Sequence, residues 1–155
     1  AEKLTENILV EMSAVNTNHP VVNAVLNQKF HLAREQGTSM IFKVGDMSGM
    51  RLNEEETVIL LSNLLDNAIR ECVKVVKAGR KAVIHIKLVQ EDGKIIFSVK
   101  NPVVEKVQIT DGIVQDSNGG MHGIGLSNVK AVVDKYGGDF VISCDSEKFQ
   151  AVVML

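Results

Sequence analysis

Between Asn53 and Gly79 the chain carries one long helical pattern with a start signal and a stop signal, and this segment limits the folds open to it. Asn53 followed three residues later by Glu56 is a capping-box pattern. Glu54 to Glu56 put negative charge at the positive end of the helix dipole, and Gly79 is a natural C-terminal stop. Leu61, Leu65, Ala68, Cys72 and Val76 line one side of this helix and polar residues the other. Its apolar side therefore needs a second layer to cover it.

The flanking sequence supplies that layer. KAVIHIKLVQ and KIIFSVKN enclose EDG, a hairpin signal because Asp-Gly tolerates the positive φ of a tight turn. DFVISCDSEKFQAVVML predicts two more strands around a DSEK turn. TSMIFKVG predicts a strand of about six residues, with Met40, Phe42 and Val44 alternating with Ile41 and Lys43. Leu4 to Val15 has helical spacing broken by NTNHP, Pro20 suits the first turn of a second helix through about Gln36, and IGLSNVKAVVDKYGG predicts a last one. The stretch 102–122, rich in Gly, Asp, Ser and Asn and weak in apolar pattern, is expected to be a long mobile loop and hence a lid. The expected fold is α+β, a two-layer α/β sandwich whose mixed, mostly antiparallel sheet has helices packed on one face, as a single domain over residues 1–155.

Composition narrows the function. A net charge of −2 with no cluster of Lys or Arg argues against a nucleic-acid surface. No apolar run approaches the ~20 residues of a membrane span, and no charged-then-apolar leader opens the chain, so solubility is expected. Cys72 and Cys144 are far apart, without CxxC spacing or histidine partners. Both are expected to be reduced core thiols in a cytosolic compartment. A start at Ala1 that runs straight into helical sequence suggests a piece of a longer protein.

On the long helix, NLLDNAI at 63–69 sets Asn63, Asn67, Arg70 and Lys74 within about 60° of one another, with Glu71 at one margin and Asp66 at the other. A solvated surface would account for a polar stripe as such. Two asparagines four apart are less readily explained, because asparagine is a mediocre helix former. Their amide oxygens are neutral hard ligands of the kind magnesium takes alongside substrate phosphates and water, and Arg70 is placed to meet a phosphate oxygen. Some fifty residues on, GGMHGIGLSN at 119–128 puts Gly123 and Gly125 at the entrance to a helix, where free backbone N–H groups favour an anion. The dinucleotide fingerprint fails here, since the third glycine and the preceding strand are missing. A plain turn role for Gly119, Gly120, Gly123 and Gly125 remains the rival reading.

The pair NLLDNAI and HGIGLSN, in this order and at this separation, resembles the N box and G2 box of the GHKL ATP-binding superfamily. NHPVVNAVLNQKFHLAREQG, SNLLDNA, VKNP, HGIGLSNVK and YGGDFVISCDSEKFQAVVML resemble the catalytic domain of bacterial sensor histidine kinases of the peptide quorum-sensing type. The resemblance implies that ATP and Mg²⁺ are bound, Asn67 being the metal ligand. Asn63, Asn67 and Arg70 would be the catalytic set, with Lys74, Asn101, His122, Gly123, Ile124, Gly125 and Leu126 also in the nucleotide site. Asn63 stands where hydrolytic relatives carry a glutamate base. An amide cannot take a proton, which suits transfer to a histidine rather than to water or serine. Implied partners are phosphoacceptor-histidine helices upstream, with residues 1–18 a linker helix from that dimerisation domain, and a response regulator downstream. The fragment is expected to be monomeric, the full-length protein a homodimer, and the domain the cytoplasmic part of a membrane-anchored receptor with no membrane contact of its own.

Two departures from the wider superfamily stand out. The DxGxG that recognises adenine is absent, leaving Asn101 at the end of the corresponding strand as a neutral acceptor, and residues 107–121 contain no Lys or Arg. His19, His31 and His85 are expected to be structural, so the phosphoacceptor lies outside this chain. His122, beside the glycines, suits either a lid contact or simple exposure. The alternatives are a GHKL-fold nucleotide-binding or protein-interaction module without transferase activity, and a hydrolytic ATPase, which Asn63 disfavours.

Overall fold

The computed structural model describes residues 15–106, 108–110, 113–115 and 122–155. Of the helix expected over Leu4 to Val15, only Val15 falls among them; it is buried. Helix α1 spans Pro20–Glu35. His19 caps it, its Nδ1 accepting from the Val22 amide at 3.3 Å, with proline in the first turn where no N–H is needed. Strand β1 follows at Ser39–Val44, the six residues that the alternation predicts.

Helix α2, Glu54–Lys77, has the capping box in full: the Asn53 side chain accepts from the Glu56 amide at 2.7 Å, and Glu56 Oε1 accepts from the Asn53 amide at 3.0 Å. After it come β2, Val83–Glu91, and β3, Lys94–Pro102, joined through Asp92 and Gly93 with φ of 52° and 77°. Positive φ at both loop residues gives the turn whose twist matches paired strands, which is why Asp-Gly fixes this register. Strands β4, Gln108–Thr110, and β5, Ile113–Gln115, pair with each other. Helix α3, His122–Lys135, leads to β6, Asp139–Cys144, and β7, Lys148–Met154. Asp145 makes that last hairpin, its Oδ1 accepting from the Glu147 and Lys148 amides at 2.7 and 2.8 Å.

The main sheet runs β1-β2-β3-β7-β6. Only β1 and β2 are parallel, and a parallel pair needs a crossover; α2 is that crossover. The other neighbours are antiparallel, so the sheet is mixed and mostly antiparallel with its helices on one face, as the sequence predicts. Leu60, Leu61, Leu64 and Leu65 of α2 are buried, and so are the alternate residues Phe97, Val99, Ala151 and Val153 of the two central strands. The opposite face stays open, with Ile41 and Val141 each 53% exposed.

Of the long loop expected over 102–122, residues 107, 111–112 and 116–121 lie outside those described, and the described part is not all loop. It begins as strand, since β3 runs through Pro102, and it includes the β4–β5 pair. The sequence carries a hairpin signal there too, Asp111-Gly112 between Ile109 and Ile113, masked by the surrounding run of polar and glycine residues. Helix α3 likewise starts at His122, two residues before the expected Ile124.

Helices α2 and α3 run antiparallel, and their opposite ends are tied. At the end of α3, Lys135 Nζ lies 2.6 Å from Glu56 Oε2, and the Tyr136 hydroxyl donates to Glu56 Oε1. Glu56 is thus both part of the cap of α2 and the anchor of α3. Those hydrogen bonds, from Lys135 first and then from Tyr136 and the Asn53 amide, hold its carboxyl at about 2.

Candidate functional site

The polar stripe of α2 divides three ways. Asn67 is buried at 5% and Asn63 half-buried, on the side that α3 covers. Arg70 and Lys74 form an exposed crest, and Lys74 is paired with the buried Glu71 at 3.2 Å. On the far side, Asp66 is bound to Lys29 of α1 at 2.8 Å, a lysine that is itself only 11% exposed. Helical angles account for the split: Asn67 and Glu71 lie some 40° and 80° round from Asn63 towards the buried face, and Asp66 some 60° the other way. Arg70 and Lys74 also border an open groove of about 430 Å³ between α1 and α2, whose apolar lining is Leu32, Ile69 and Val73.

The two motifs meet at Asn63. Its Nδ2 donates back to the Ile59 carbonyl at 2.8 Å, which fixes the amide with its oxygen turned towards α3. A Cβ placed on Gly125 would lie 3.0 Å from that oxygen and 3.5 Å from Cγ. A Cβ there would require the Asn63 amide to give way by a few tenths of an ångström, so the bare Cα lets the start of α3 rest on α2 with that amide undisturbed. The first-turn amides of α3, those of His122, Gly123 and Ile124 among them, have no intrahelical acceptor. They therefore lie close to Asn63, against which Gly125 packs, and the helix dipole adds to their preference for an anion. Leu126 is a turn further in, with its side chain 1% exposed in the core.

Asn101 ends the buried row of β3, which alternates Ile95, Phe97, Val99 and Asn101 beneath the helices. It is 1% exposed, its Nδ2 donates to the Pro102 carbonyl at 2.9 Å, and its Oδ1 is buried without a partner. An unpaired buried acceptor at a strand end is costly to keep. It fits a donor that arrives with a ligand.

Whether the site suits a metal is decided by its donors. Among the described residues no group of three or more His, Cys, Asp or Glu gathers that could hold an ion unaided. What α2 offers is the amide of Asn67. That set fits magnesium, which keeps waters and completes its shell from one or two protein oxygens and a polyphosphate. The three histidines expected to be structural lie away from the site: His19 caps α1, His31 stacks edge-on against Phe30, and His85 is exposed on β2. Sequence reasoning missed Glu56, whose second role needed the contact with α3 to be seen.

The family described as HATPase_c_5, GHKL domain, matches residues 52–155. No curated protein matches. Among solved structures, the catalytic domain of histidine kinase ThkA in a nucleotide-free form aligns with a TM-score of 0.63 at 17% identity, over 90% of this chain and 92% of that one. The Acinetobacter baumannii histidine kinase AdeS aligns with a TM-score of 0.63 at 17% identity, over 99% of this chain and 75% of that one. Full-length ShkA in complex with AMPPNP aligns with a TM-score of 0.62 at 16% identity, over 87% of this chain. This chain spans 29% of ShkA, and 58% of the blue-light activated histidine kinase of Erythrobacter litoralis.

Proposed function

The chain belongs to the GHKL domain family, and on that premise we propose that it is the ATP-binding catalytic domain of a two-component sensor histidine kinase. GHKL domains bind ATP, and the fold is that of histidine kinase catalytic domains. The observation that carries the reading is the approach of Gly125 to Asn63, which sets the free amides of α3 beside the asparagine ridge of α2 so that one triphosphate can touch both.

Within that site the protein's own work is positioning and charge stabilisation. Amides at the start of α3 would hold phosphate oxygens, and Arg70 on the crest would add a charge-assisted bond. Asn67 would hold Mg²⁺, which when bound neutralises charge on the phosphates. Asn101 would accept from the adenine amino group. Asn63 has an amide where a base would be needed to activate water, so the γ-phosphoryl group is kept for a stronger nucleophile, a histidine imidazole. With no Lys or Arg between 107 and 121, phosphate charge is met by Arg70, by Lys74 once released from Glu71, or by the acceptor domain. Upstream histidine-bearing helices, a response regulator, a homodimeric full-length protein and a membrane-anchored cytoplasmic setting complete the proposal. The quorum-sensing subgroup rests on the likeness of its sequence segments.

Titration calorimetry with Mg-ATP tests it. Saturable binding that Asn67→Ala weakens at least about tenfold is the expected result. No heat at millimolar nucleotide would leave a GHKL-fold interaction module instead.

A further inference from the structure

Strand pairing gathers on the open face of the sheet a set of lysines that lie far apart in the sequence. Ile84, Ile86 and Leu88 of β2 and Phe97 and Val99 of β3 are buried under the helices, so His85, Lys87 and Lys100 stand on the other face. Lys43 of β1 is the direct register partner of Lys87, and His85 that of Lys100, on strands about 4.8 Å apart. Like charges set opposite one another are unfavourable. Among the described residues no ion pair takes up any of these three lysines. The acids of the face stand at its border, Glu91 at the β2–β3 turn and Asp139 at the start of β6. A chain whose net charge is −2 thus presents a positive surface here, and because salt screens charges beyond roughly 10 Å, a partner meets that local charge rather than the total.

We infer that this face docks on the anionic headgroups of a lipid membrane. A protein interface has an apolar centre from which lysine is depleted, and a polar rim. The order is reversed here. Lys87 and Lys100 are on inner strands, while Ile41 and Val141, the large hydrophobics most exposed on this face, are on the outer strands β1 and β6. A bilayer surface offers a broad plane of phosphate charge that lysines meet without a fixed pocket, and aliphatic side chains at the border add apolar contact with it. Helices α2 and α3 lie on the other side of the sheet, so the docked domain keeps its proposed nucleotide site turned to water. This revises the expectation of a domain without membrane contact, which the scatter of lysines along the sequence suggests. It does not depend on the nucleotide reading.

The test is vesicle sedimentation with the 155-residue chain. The chain should bind vesicles of phosphatidylglycerol and phosphatidylcholine in equal parts, ignore phosphatidylcholine alone, and come off in about 0.5 M salt. Lys87→Gln with Lys100→Gln should weaken binding about 25-fold, about fivefold for each lysine, without lowering Tm or Mg-ATP affinity. Lys77→Gln with Lys130→Gln, which removes the same charge from the helix layer, should leave vesicle binding within about twofold. Equal loss in the two double variants, or equal binding to the two kinds of vesicle, overturns the inference. So does a chain that ignores anionic vesicles; if polyglutamate then holds it through Lys87 and Lys100, the occupant of the face is an acidic protein instead.

Discussion

At the residue scale, environment rather than identity assigns the roles. The two cysteines are alike in sequence, yet Cys72 is fully buried on α2, where burial and then the charge of Glu71 push its thiol up to about 12. Cys144 is half-buried near the end of β6. A thiol-reactive disulfide reagent at neutral pH should therefore titrate one group per native chain, Cys144, and reach the second only on unfolding. Rapid modification of both would show that the α2 face opens. Asn63 invites the complementary experiment. If its position faces the nucleophile, Asn63→Glu supplies the missing base, and basal ATP hydrolysis should rise at least about tenfold, general bases being worth roughly 10² to 10⁴. An unchanged rate would mean the side chain does not reach the attacking group. The asparagines were legible in sequence because their residue type is out of place on an ordinary helix face. Glu71 and Lys74 were less so, since only the packed structure shows that one is buried and the other tied to it.

At the scale of elements, the contact between α2 and α3 is where the fold and the site depend on each other. Glu56 holds the far end of α3 through Lys135 and Tyr136, and the near end of α3 rests on Asn63. The sign of its pH dependence is set by the direction of the shift. A carboxyl ordinarily near 4.5 and held at about 2 in the fold contributes stability that is complete above 4.5 and is lost as pH falls from 4.5 towards 2. Lys135 and Tyr136 are both raised, first by their hydrogen bonds to Glu56, so their contribution is present below their ordinary values and fades in strong alkali. Glu56→Gln is expected to lower Tm at neutral pH and to flatten the loss of stability between pH 4.5 and 2, which a series of thermal melts would measure. A variant with the wild-type acid limb would disprove the anchor. Asn53→Ala, which removes only the cap, should cost about 1 kcal/mol in denaturant unfolding without changing that limb. Boundaries set by local chemistry, such as the capping box and the Asp92-Gly93 turn, were readable in advance. The β4–β5 pair was not, because three-residue strands carry too little alternation to stand out from a polar segment.

At the scale of the whole molecule, the proposed reaction needs a group this chain's site does not bring, the phosphoacceptor histidine. In the proposed function the ridge of α2, the start of α3 and the end of β3 would hold the nucleotide, and the amide of Asn63 would offer no proton acceptor for water. The isolated chain is therefore expected to bind Mg-ATP and turn it over slowly, with the terminal phosphate waiting for a histidine brought by another domain. Rapid steady-state hydrolysis by the purified chain without an acceptor would count against the kinase reading.

Sequence by itself determined the longer described elements and their chemistry: the caps and turns, the apolar faces, and the two motifs whose residue types suit a polyphosphate. These are short-range properties, set by neighbours a few residues apart. What only the tertiary structure decided was which strand lies beside which, with β7 entering between β3 and β6, and which parts of the polar stripe face α3, solvent or α1. It also decided that Gly125 touches Asn63, that Glu56 joins two helices, and that the oxygen of Asn101 is the end left unpaired. Each of these depends on contacts between residues far apart in the chain, which packing selects and local pattern cannot specify.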